Sequence, residues 1–196
     1  MVPPAAGVPN ADLLLGGLAN YFANSFDSQV TGFDLAITAG FELGSGDLVM
    51  DLRHNQNDQS VSNVAAGTIN ASRVHDLENQ VPSSRTTLTF DYATGNHLSG
   101  YIRFNNYGSW SSTGGLFSSG LADDVSNYGS ALLVDIEATW RFGDILRLSV
   151  GAENILDEEP DLEGDGTLAF LGARTAITSP FGNNGGFWYA RLAADF

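Results

Sequence analysis

The feature that most constrains this chain is a period of two. Over residues 145–154, Leu146, Leu148, Val150 and Ala152 fall on one side, and Arg147, Ser149, Gly151 and Glu153 on the other. The tract before it sets Leu132, Val134, Ile136, Ala138 and Trp140 against Leu133, Asp135, Glu137, Thr139 and Arg141. Side chains alternate across a strand, so this pattern describes strands with one apolar face. The same alternation carries Phe33, Leu35, Ile37, Ala39, Phe41 and Leu43, then Leu48, Met50 and Leu52. It recurs in Thr86, Leu88, Phe90 and Tyr92, in Leu98, Ile102 and Phe104, and in Trp188, Ala190, Leu192, Ala194 and Phe196. Helical periodicity is nearly absent. The expectation is an all-β chain of about seven antiparallel up-and-down strands.

The connections alternate in length. Gly44-Ser45-Gly46, Thr94-Gly95-Asn96 and Phe142-Gly143-Asp144 suit tight hairpins. Longer polar loops are expected over about 58–83, 109–129 and 156–185. Short turns alternating with long loops are the rhythm of an outer-membrane barrel, whose periplasmic turns are short and extracellular loops long. A soluble sandwich also alternates, and it would point the charged face at water. It has no reason to gather the long loops at one end. Tilted membrane-crossing strands need about 9–11 residues, which these tracts supply. Aromatic residues near the strand ends, among them Tyr92, Tyr107, Trp110, Trp140, Phe142 and Trp188, suit the two membrane interfaces.

Composition narrows the function classes. A net charge of -15 argues against nucleic-acid binding, which needs a basic footprint. The absence of cysteine removes disulfides, thiolate metal sites and cysteine nucleophiles. No stretch approaches 18 consecutive apolar residues, so no transmembrane helix is expected. Residues 1–10 lack a basic start and an apolar run, so they do not read as a secretory signal.

Several stretches resemble TonB-dependent outer-membrane receptors. They are the run from Tyr21-Phe-Ala-Asn24 to Leu35, the loop-then-strand run from His75-Asp-Leu-Glu78 to Tyr92, and Tyr107-Gly-Ser-Trp110. Gly151-Ala-Glu-Asn-Ile-Leu-Asp157 followed by Pro160 resembles the penultimate strand, and 179–196 resembles the closing strand, which ends in an aromatic residue. The resemblance covers residues 20–196 and leaves 1–19 as an extension or loop remnant. It implies the C-terminal strands of a barrel of about 22, and hence a sheet incomplete as a single chain. It also implies a part in uptake of a scarce ligand such as an iron chelate, vitamin or sugar across a Gram-negative outer membrane. Trp188, Tyr189 and Phe196 then match the closing strand's signal to the barrel-assembly machinery. The implied partners are outer-membrane lipid and the remaining strands. Open sheet edges pair readily with other chains. The alternative is therefore a self-assembling subunit, an oligomeric barrel, tube or filament outside the cell, whose copies pair edge to edge. A soluble carbohydrate-binding sandwich is the third reading.

No enzyme is expected. No Ser lies in a Gly-x-Ser-x-Gly elbow, and His54, His75 and His97 share no ligand spacing. Carboxylates on the charged face have basic neighbours (Asp51 with Arg53, Glu137 with Arg141, Arg147 with Glu153), so cross-strand ion pairs are expected there. The one cofactor candidate is calcium. Asp161-Leu-Glu163-Gly-Asp165-Gly166 has oxygen ligands at alternate positions followed by glycine, although Gly172 stands where a twelfth-position acid belongs. The other reading of these acids is a solvated loop.

Overall fold

The computed structural model describes residues 24–95, 97–113, 125–164 and 172–194. The expected extension over 1–19 and its boundary lie outside them, as do Asp165 and Phe196. Seven strands form one antiparallel sheet: β1 (Asp27–Leu43), β2 (Gly46–Ser62), β3 (Ser84–Thr94), β4 (Leu98–Tyr107), β7 (Ala131–Phe142), β8 (Leu146–Glu153) and β9 (Phe187–Ala194). They stand in chain order, so the sheet is an up-and-down meander with β1 and β9 at its open edges. A helix, α1 (Ala71–Asn79), and a hairpin of β5 (Trp110–Ser112) and β6 (Ser126–Tyr128) fill two of the long connections.

The three short turns lie at one end of the sheet and the three long connections at the other. Gly44, Gly95 and Gly143 carry φ of 63°, 44° and 60° in those turns. Glycine enters this left-handed region without a Cβ clash.

Register carries the alternation across all seven strands. Ala39, Met50, Phe90, Ile102, Ile136, Ala152 and Trp188 are successive cross-strand partners, and all are apolar. The neighbouring row on the opposite face reads Thr38, Asp51, Thr89, Arg103 and Asp135 from β1 to β7. Phe33 and Leu43 are ten steps apart on β1. At about 3.3 Å per residue and a tilt of about 45°, that apolar stretch would span roughly 23 Å, close to the apolar band of a membrane barrel. Among the described residues nothing covers the apolar face: Phe41 is 53%, Trp140 49% and Trp188 65% exposed. The buried hydrophobic cluster is Trp110, Tyr128 and Ala176, with Phe181 packed on it, at the long-loop end.

Two expectations about the loops are corrected. The loop placed at 58–83 begins later, because β2 runs to Ser62 and pairs with β1 back to Asp27. Backbone pairing continues beyond the apolar stretch, where residues on both faces are mainly polar and alternation vanishes. The same loop contains α1, which has no apolar stripe. Its local support is a cap, with Asn70 Oδ1 accepting from Arg73 N at 2.8 Å.

Candidate functional site

The polar face of the sheet is the candidate site. On its β1–β2 flank, Asp51 accepts from Thr38 Oγ1 at 2.9 Å and from Arg53 Nε at 2.7 Å. Asn55 Nδ2 donates to Asp34 Oδ1 at 2.6 Å. Further round, a hydrogen-bonded chain crosses three strands, β3, β4 and β7, and ends on the backbone just past β8. Thr87 Oγ1 donates to Asn105 Oδ1 at 3.1 Å, Asn105 Nδ2 donates to Asp135 Oδ2 at 3.1 Å, and Asp135 Oδ1 accepts from Asn154 N at 2.9 Å. Polar groups thus satisfy one another along a face whose opposite side is apolar.

Ion pairing departs from expectation. The Asp51–Arg53 pair runs along β2, between residues on the same face of one strand. Glu137 does not pair with Arg141: its Oε1 accepts from Thr139 Oγ1 at 3.2 Å and its Oε2 from the Tyr189 hydroxyl at 2.7 Å. The hairpin register sets Arg141 across from Arg147. Each lies three residues from Asp144, the centre of the turn, one residue beyond the centre of the expected Phe142-Gly143-Asp144 turn.

Two of the cavities on the polar face gather charged side chains from several strands. One, of about 820 Å³, is lined by Asp34, Asp51 and Asp91 and by Arg53, Arg85 and Arg103, three charges of each sign. The other, of about 570 Å³, lies toward the short-turn end and is lined by Arg141, Arg147 and Arg191 with Glu137.

The long-loop end is built by burial. Trp110 stacks on Tyr128 at 5.3 Å between ring centroids. Asp76 on α1 is fully buried. It accepts from Thr113 N at 2.7 Å and Thr113 Oγ1 at 2.9 Å, tying α1 to the end of β5. This tie is not legible in the sequence, because its partners are 37 residues apart and neither belongs to a periodic tract. His75, on α1, meets Ser111 Oγ through Nε2 at 2.9 Å.

The acidic-loop candidates fall beside the same hairpin. Asp161 Oδ2 accepts from Gly129 N at 2.6 Å, and Glu163 Oε1 accepts from the Tyr128 hydroxyl at 2.9 Å. Each carboxylate thus braces the β6 end. Of the closing-strand residues, Trp188 lies on the apolar face opposite Ala152, and Tyr189 reaches Glu137 across the polar face. The Asn154–Asp157 run is a clamp. Asn154, at φ 50°, donates from Nδ2 to Glu158 O at 2.8 Å and accepts from Glu158 N at 3.0 Å. Asp157 Oδ1 accepts from Gly186 N at 2.7 Å, just before β9.

An open meander with one apolar face, one polar face and its long loops at one end is the wall of an outer-membrane-type barrel, incomplete in this chain. Comparison with a solved structure agrees on the fold. The chain is similar to the siderophore receptor PirA from Acinetobacter baumannii, at a TM-score of 0.54 and 19% identity, over 85% of this chain and 22% of that one. A second similar structure is a G324V mutant of the ferric enterobactin receptor PfeA from Pseudomonas aeruginosa, at a TM-score of 0.46 and 12% identity, over 89% of this chain and 30% of that one. The chain therefore spans less than a third of either receptor. No protein-family model matches the sequence, and no curated protein matches it significantly.

Proposed function

We propose that this chain is the C-terminal barrel portion of a TonB-dependent receptor in a Gram-negative outer membrane. In this reading it supplies part of the lumen wall and three outward loops for uptake of a scarce ligand. One observation carries the reading: an apolar row crosses all seven strands on one face while every long connection lies at the end away from the short turns. In lipid the backbone must be hydrogen-bonded internally, which a strand wall achieves once its edges are paired. Trp188, Tyr189 and Phe196 are the proposed assembly signal. Asp161, Glu163 and Asp165 remain a calcium proposal on an outward loop. Because PirA is a siderophore receptor, a ferric siderophore is the first ligand to test among iron chelates, vitamins and sugars.

The open edges at β1 and β9 favour a second reading, a subunit whose copies pair edge to edge. Fractionation separates the two. A receptor wall stays with outer membranes and leaves only in detergent, and protease added to intact cells cuts 63–83 while sparing the Gly44 turn. Fibres that pellet without membranes support the second reading. A chain recovered in solution as a monomer without detergent would overturn both.

A further inference from the structure

We infer that the arginine-lined polar-face cavity, toward the short-turn end, binds a multivalent oxyanion of the phosphate class. The chain carries 23 acidic against 8 basic side chains. Yet three of its arginines, Arg141, Arg147 and Arg191, line this one cavity of about 570 Å³. The acid among the lining residues is Glu137, and each of its oxygens already accepts from a hydroxyl, Thr139 on one side and Tyr189 on the other. The larger cavity on the same face balances its arginines with three aspartates, so an excess of positive charge is not general to this face.

The excess is built by register. β7 and β8 set Arg141 directly across from Arg147, which gathers two guanidinium groups at the short-turn end of this face. β9 brings Arg191 opposite Ser149, whose hydroxyl also lines the cavity. The β3–β4 turn brings His97, whose carbonyl accepts from Arg141 N at 2.8 Å and holds that strand end in place. Neither Arg141 nor Arg191 forms an ion pair with another of the described residues. Guanidinium groups present planar forks of donors that match tetrahedral oxyanions, and Ser99 adds a hydroxyl donor. The volume exceeds that of one phosphate ion, so a phosphate ester or a pyrophosphate also fits. The shared chemistry is the phosphate group, free or on a lipid headgroup.

Arginine-directed modification tests this on the full chain with internal controls. The protein, in a maltoside detergent free of phosphate, is treated with phenylglyoxal in sodium phosphate, in sodium pyrophosphate or in sodium chloride of equal ionic strength. Modification is read residue by residue by mass spectrometry. Phosphate or pyrophosphate is expected to slow modification of Arg141, Arg147 and Arg191 by about fivefold or more, and that of Arg53, Arg85 and Arg103 by less than about twofold. Protection of the same three by phosphatidylglycerol vesicles alone would assign the phosphate group to a headgroup; protection by the soluble ions assigns it to a free ligand. Equal protection of all six, or none, overturns the inference. R141Q and R191Q should each abolish the line broadening of the phosphate resonance that the wild type causes, while R85Q keeps it. Broadening that survives both substitutions overturns the inference as well.

Discussion

Asn154 shows how much one residue can set. It ends β8 in the left-handed region at φ 50°, which asparagine tolerates better than most residues. Its amide brackets Glu158 from both sides, and three residues on Asp157 holds Gly186, so the long connection leaves β8 and returns to β9 in fixed register. Asn154→Ala removes both side-chain bonds and places alanine at positive φ. The expected loss is about 1–3 kcal/mol in denaturant unfolding of the detergent-bound chain. Asn154→Gly keeps the backbone accessible and loses only the bonds, so it should be the milder of the two. Equal and negligible losses would remove the clamp from the account.

At the scale of a strand, what matters is which face a side chain occupies. Ile136 lies in the apolar row between Ile102 and Ala152, and Thr139, three residues on, faces the polar side and meets Ser149 Oγ at 2.6 Å. If the apolar face meets lipid, Ile136→Lys should cost about 2–4 kcal/mol of stability in bilayers, and Thr139→Lys about 1 kcal/mol or less. Urea unfolding in lipid vesicles measures both. Costs of similar size at the two positions would mean that the apolar face is not in lipid.

The whole molecule is defined by what it leaves unpaired. β1 presents 17 residues along one open edge and β9 presents 8 along the other. Central strands bond on both sides and edge strands on one, so amide exchange in the isolated chain should be fastest along β1 and β9 and slowest in β3, β4 and β7. Exchange mass spectrometry in detergent checks this. Protection of β1 equal to that of β4 would show that other copies already occupy the edges, the arrangement that a self-assembling subunit requires.

Strand identity, face and turn placement were legible in the sequence because each depends on residues close along the chain. A period of two assigns Leu148 and Ser149 to opposite faces wherever the strand sits, and glycines at 44, 95 and 143 mark the turns because a Cβ there would strain the backbone. The register of the β7–β8 hairpin sets Arg141 against Arg147, whereas the ionic expectation set Arg141 beside Glu137. Contacts between distant segments decided the rest. α1 and the β5–β6 hairpin are short and lack periodicity, and they are held by the Asp76–Thr113 tie and the Trp110–Tyr128 stack. Arg191 and His97 join Arg141 only through the register of β9 and the β3–β4 turn. Local pattern determined which tracts are the seven strands of the sheet and which face each residue takes. Only tertiary structure decided which charges meet, because their neighbours lie on different strands and no spacing along the chain specifies them.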